Sequence, residues 1–240
     1  MTQNNIHAPY IIVLGTIQDG GFTSPKSQKK YCKDFFEILK NSKKVSSIAI
    51  VDPTNKQQWI IDASPDFKEQ LYNLQEQTSL YDLDGILLTH AHIGHYLGLA
   101  YLGKEALNTE KVKVFCMKRM LNFLSNNGPW DQLIKNNNIS LSKIKENQNF
   151  ELNKNIQVIP FTVPHRDEYS ETVCFLITSK QKKFMARLEN YPEAVRNHLL
   201  KLPCPTFDST PFNRPIPMNE QFSRNLKTKE SLDPIEKKLK

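Results

Sequence analysis

Cysteine is scarce in this 240-residue chain, and its four copies, Cys32, Cys116, Cys174 and Cys204, are widely scattered with no CxxC pair. That excludes a disulfide framework or a cysteine-pair zinc knuckle as the basis of the fold and points to a reducing compartment. Long apolar runs are also missing. None approaches the roughly 18–20 residues needed to cross a bilayer. The N-terminal segment MTQNNIHAPYIIVLG lacks a basic region, and its apolar run at Ile11–Leu14 is too short for a secretory signal. The expectation is a soluble, cytoplasmic protein with no membrane partner.

An evenly spread basic charge is a third absence. The formal net charge is +7, but residues 181–240 hold 12 Lys/Arg against 7 Asp/Glu and so account for +5 of it. The first 180 residues are close to neutral, and no stripe alternates basic with aromatic residues, which argues against nucleic acid as a partner. A small-molecule substrate is the expected partner. With 39% hydrophobic and 10% aromatic residues, the chain has enough apolar material for a packed core.

Hydrophobic periodicity sketches the elements. YIIVL (10–14), SSIAIVD and QQWIIDA read as strands, the last two joined by a PTNK turn. DFKEQLYNLQEQ reads as a helix with Ser64 or Asp66 as its N-cap. GILLT (85–89) is the next strand, and HYLGLAYLGKEAL has helical spacing. VKVFCM (112–117) reads as a strand and KRMLNFLSNN as a helix closed by Gly128-Pro129. NIQVIPFTVP and TVCFLITS are two further strands. Strands alternating with helices predict an α/β fold with helices covering a sheet. This domain spans 8–180. A Pro- and Lys-rich segment, 181–240, follows, with one helix expected near 187–202. Residues 24–44 are rich in Ser and Lys.

Three of the six histidines, His90, His92 and His95, lie within six residues. An HxHxxH arrangement arises by chance in such a chain with a probability of only about 0.004. Positions two apart on an extended segment share a face, so His90 and His92 point into one cavity. His95, in the first turn of the following helix, swings back toward it, and Gly94 gives that turn its freedom. His165, just after another apolar strand, is the distal candidate. Such imidazoles suit zinc or iron, one or two ions. His7 and His198 lie in polar surroundings and are set aside. Arg166, Asp167, Glu168 and Tyr169 read either as substrate contacts or as a solvated turn. Trp130, in NNGPW, reads either as a pocket cover or as a core anchor.

HAHIGH resembles the HxHxDH signature of the metallo-β-lactamase superfamily. LGTIQDGG, IIDASPDFKEQL, LLTHAHIGHYLGL, NNGPW and VPHRDEYSETV together resemble its branch related to pyrroloquinoline quinone biosynthesis protein B, over residues 9–180. The resemblance implies an αββα sandwich with a metal site at one edge. It implies His90, His92 and His165 as one three-histidine site and His95 as part of a second. It gives Asp62 a supporting role beside the metal loop, with Asp19 and Asp66 as lesser candidates. Two departures stand out. The aspartate of HxHxDH is Gly94 here, and the aspartate-bearing strand and final histidine expected after TVCFLI are missing. The second half is therefore expected to be shortened, and a two-metal clamp is harder to build than a one-metal site. The implied activity is metal-dependent hydrolysis by activated water, with a link to quinone cofactor synthesis. A non-catalytic metal- or partner-binding protein and a nuclease are the alternatives.

Overall fold

The structure, a computed structural model, describes residues 8–19 and 44–179, with the backbone of 183–186 and 216–217. Strand β1 (Tyr10–Gly15) is followed by the hairpin of β2 (Ser47–Asp52) and β3 (Gln57–Ile61), then helix α1 (Phe67–Gln77) and β4 (Leu83–Leu87). A single helical turn, α2 (Ile93–Tyr96), runs into a 3-10 helix at Leu97–Leu102. Next come β5 (Val112–Cys116), α3 (Lys118–Asn126), α4 (Trp130–Lys135) and β6 (Ile139–Lys143). The last strands are β7 (Phe150–Asn153), β8 (Ile156–Thr162), β9 (Val173–Ser179), β10 (Lys183–Ala186) and β11 (Ile216–Pro217). Two sheets result: a mixed seven-stranded sheet ordered β11-β1-β2-β3-β4-β5-β6 and an antiparallel four-stranded sheet ordered β10-β9-β8-β7.

Strand alternation decides which residues face which layer. In β2, Ile48 and Ile50 point between the sheets and join Ile11, Trp59, Ile61, Leu87, Val158, Val173 and Phe175 in one core. Ala49 and Val51 point the other way, into a second core with Phe67, Leu71 and Leu74 of α1 and Leu99 and Leu102 of the 3-10 helix. Both faces of the strand are apolar because both are covered. The described residues thus form helix, sheet and sheet layers of the expected sandwich. The expected helix at 187–202 lies outside the described residues, as do Cys32, Cys204 and nearly all of the Ser- and Lys-rich segment at 24–44. No helix among the described residues is long and apolar enough to cross a membrane.

The structure changes several expected elements. The helix expected over HYLGLAYLGKEAL is one α-turn and a 3-10 stretch, because its backbone is pressed against the loop before α1. A Cβ at Gly98 would stand 2.3 Å from the Ser64 carbonyl oxygen and 2.4 Å from Phe67 Cβ. Strands β6 and β7 and helix α4 are additions, all short and with mostly polar or half-buried side chains that carry little periodicity. At the N-terminus of α1, Asp66 occupies the cap position but caps nothing. Its carboxylate accepts from Val45 N–H at 2.7 Å, while Ser64 Oγ accepts from Asp66 N–H and donates to Gln70. Asp66 is a tie between segments.

Candidate metal centre

The histidines sit where the two sheets meet. His90 and His92 follow the C-terminal end of β4, and His165 follows β8 of the second sheet. Cross-sheet bonds hold these loops in register: Val173 N–H donates to the Thr89 carbonyl at 3.0 Å, and Ala91 N–H donates to Ser170 Oγ at 2.8 Å. Arg119, in the first turn of α3, pins the His165 loop. Its guanidinium donates to the carbonyls of Asp167 (2.7 Å) and Glu168 (3.3 Å), and its backbone N–H donates to the Glu171 carboxylate.

Ring nitrogens of His90, His92 and His165 converge, all within 4.8 Å of one another. His90 Nε2 is 2.8 Å from His92 Nδ1, and His165 Nε2 is 3.2 Å from the same atom. Zinc–nitrogen bonds of ~2.05 Å in a tetrahedron put neighbouring nitrogens roughly 3.3 Å apart, so the set fits one cation.

The outward nitrogens show why the convergent ones are available as ligands. Asp62, fully buried, accepts from Thr89 N–H at 2.8 Å and from the Thr89 hydroxyl at 2.7 Å. With its proton committed there, Thr89 Oγ1 accepts from His90 Nδ1–H at 2.9 Å. That tautomer leaves the lone pair on Nε2, facing the cluster. His92 Nε2 lies 3.1 Å from Glu168 Oε2. The hydrogen bond from His92 holds the Glu168 carboxyl below its ordinary range, so it accepts and the His92 lone pair falls on Nδ1.

Asp62 reaches a second ring. Its Oδ2 also accepts from His95 Nδ1–H at 2.7 Å. The residue adopts φ 63°, a left-handed conformation that non-glycine residues seldom hold without reason. Here it turns a buried carboxylate toward Thr89 and His95 together. His95 is therefore not in the convergent group of three. Its ring packs against His90 with centroids 4.1 Å apart, and its Nε2 lies 3.0 Å from Asp19 Oδ1.

Among the weaker candidates, Asp167 Oδ1 accepts from the Thr172 hydroxyl, and Arg166 is largely exposed. Tyr169 is exposed and leans on Phe123. Trp130 packs with Tyr96 and Phe123, the core-anchor role rather than the pocket cover. Thr89, Arg119 and Ser170 escaped the sequence reading. A hydroxyl immediately before HxH was a usable signal for Thr89, whereas nothing local marks Arg119 or Ser170.

Residues 58–210 match the family model described as the Beta-lactamase superfamily domain. The fold is similar to that of zinc-bound PqqB from Methylobacterium extorquens, with 22% identity and a TM-score of 0.61 over 73% of this chain and 64% of that one. It is also similar to a diphosphatase from the PhnP family, with 18% identity and a TM-score of 0.56 over 80% of this chain and 70% of that one. The chain thus spans less than two thirds of the PqqB structure. No curated protein sequence matches it.

Proposed function

Because the chain belongs to the metallo-β-lactamase superfamily, we propose that His90, His92 and His165 hold a zinc or iron ion and that the protein is a metal-dependent hydrolase. One observation carries the reading: three ring nitrogens converge, and for two of the rings the opposite nitrogen is bound to a hydroxyl or a carboxylate. A bound ion would supply Lewis acidity and lower the pKa of a bound water toward ~7. The chain's own residues do the rest. Asp62 and Thr89 fix the tautomer of His90, Glu168 fixes that of His92, and Arg119 keeps the loop bearing His165 in place. His95 lines the same wall, a second metal-facing ring in this reading.

The substrate is a small molecule with a hydrolysable ester, amide, thioester or phosphodiester bond. A step in making a quinone cofactor is the narrower reading, supported by the motif series along residues 9–180. A cytoplasmic setting suits the buried thiols of Cys116 and Cys174. The test is a panel of generic ester, thioester, phosphodiester and RNA substrates offered to zinc- and iron-loaded protein beside His165→Ala. Turnover of one small-molecule class that disappears in the variant supports the proposal. Metal binding without turnover of any substrate would replace it with a non-catalytic metal-binding role. Turnover of RNA alone would replace it with a nuclease.

A further inference from the structure

The segment after His90 and His92 turns an apolar face to solvent. From Ile93 to Tyr101 it comprises α2 and most of the 3-10 helix, and it holds no Lys, Arg, Asp or Glu. Its exposed positions are Ile93 (58%), Leu97 (41%), Ala100 and Tyr101 (38%), and every position between them is buried. The first charged residue beyond them is Lys104. A surface helix ordinarily turns polar side chains outward. Single exposed apolar residues are common, but a run with no polar member marks a binding surface.

This face begins at the metal centre. Ile93 directly follows His92, and His92 and His165 are half-buried whereas His90 is buried, so the cluster opens to solvent beside Ile93. At a rise of about 1.5–2.0 Å per residue, the face runs roughly 12–16 Å from Ile93 to Tyr101, the reach of a medium-length acyl chain. The charges beside the opening select against anions. Glu168 Oε2 lies 3.1 Å from His92 Nε2, and Asp19 Oδ1 is hydrogen-bonded to His95 Nε2 at 3.0 Å; both carboxyls are partly exposed. Arg119 is engaged by the Asp167 and Glu168 carbonyls, and Arg166 lies 3.9 Å from Glu168 Oε1. A phosphodiester would meet carboxylates ionised at neutral pH, a repulsion that an uncharged ester escapes.

We propose that the substrate is an uncharged carboxylic ester whose apolar acyl chain lies along Ile93, Leu97 and Tyr101. The proposal rests on reading the three histidines as a hydrolytic metal centre and narrows its substrate. Water adds to the acyl carbon and the acyl carbon–oxygen bond breaks. The water's hydroxyl joins the carboxylic acid and its other hydrogen joins the alcohol.

The experiment follows kcat/KM of the zinc-loaded full chain on p-nitrophenyl acetate, butyrate, hexanoate and octanoate and on bis-p-nitrophenyl phosphate, with His165→Ala as the blank. Ile93→Gln and Leu97→Gln are the variants; both positions are exposed, so neither substitution opens a cavity. Tyr72→Gln, on α1 and exposed at 62%, is the control. Zinc content is measured for each protein. Wild type is expected to gain about twofold per added methylene, less than the ~4-fold of full burial because one side of the chain stays in water. Ile93→Gln and Leu97→Gln should each cut the acetate-to-octanoate gain at least threefold, and Tyr72→Gln should keep it. The phosphodiester should be at least tenfold slower than the hexanoate. Four outcomes overturn the proposal. A flat ester series with turnover of acetate leaves the hydrolase standing and removes the acyl-chain site. A gain that both variants keep, or that Tyr72→Gln cuts equally, puts the chain elsewhere. Faster turnover of the phosphodiester than of every carboxylic ester shows that the opening accepts anions. Absence of turnover above the blank on any probe removes the hydrolase reading and this proposal together.

Discussion

Replacing Thr89 with Val tests how the cluster is held without touching any proposed ligand. Val matches Thr in shape, so no cavity opens, but the hydroxyl that links Asp62 to His90 is lost. The bond to the Asp62 carboxylate, a charged acceptor, contributes about 1.5–3 kcal/mol, and the neutral bond from His90 about 0.5–1.5 kcal/mol. The backbone bond from Thr89 N–H to Asp62 survives. Metal-free protein should therefore lose about 2–4 kcal/mol, a fall in Tm of roughly 5–12 °C for a body of this size. The acceptor of His90 Nδ1–H also goes, so the ring is no longer held with its lone pair on Nε2, and zinc affinity should fall about 10- to 100-fold. The assays are denaturant unfolding of the metal-free protein and zinc competition with a chelator. Thr89→Ser restores the hydroxyl and should stay within ~1 kcal/mol of wild type, with tight zinc binding. Should Thr89→Val match wild type in both assays, the chain from Asp62 through Thr89 to His90 does not orient the ring, and the tautomer argument fails.

Asp52 carries a pH signature. Burial pushes its carboxyl up, but hydrogen bonds from the side chains of Asn155, Asn55 and Asn153 outweigh it and hold the group below the usual carboxylate range. Its stabilisation is complete above the unfolded value of about 3.9 and is lost as pH falls through the lower folded value. Asp52→Asn should therefore be less stable at pH 7 and show a shallower loss below pH ~4 in acid unfolding followed by circular dichroism. Gly98→Ala should cost about 1–3 kcal/mol in chemical denaturation, because the added methyl runs into the Ser64 carbonyl and Phe67. Arg119→Ala should lower zinc affinity through the loosened His165 loop while leaving the far-ultraviolet spectrum unchanged.

What was legible in the sequence, and what was not, follows from how local each signal is. The runs of β1, β2 and β3 are short, apolar on both faces and bounded by turns, so their strands could be read directly. HAHIGH was legible because an extended segment necessarily puts His90 and His92 on one side. The 3-10 turn after His95 was not, because its shape comes from Gly98 packing on a loop 34 residues earlier. The role of Asp62 followed from the family resemblance, but its link through Thr89 depends on a left-handed backbone that no pattern announces. Asp19 was a lesser candidate and Gly94 a departure from the HxHxDH pattern, both from the family resemblance. That the Asp19 side chain lies where a Cβ at position 94 would stand depends on a fold contact 75 positions apart, which no local pattern announces.

The most direct test of the account is elemental analysis of protein purified after growth with zinc and iron, beside His90→Ala/His92→Ala. The account predicts at least one equivalent of zinc or iron in wild type and almost none in the variant, with circular dichroism showing both folded. A metal-free wild type, or a variant that keeps its metal, would contradict it.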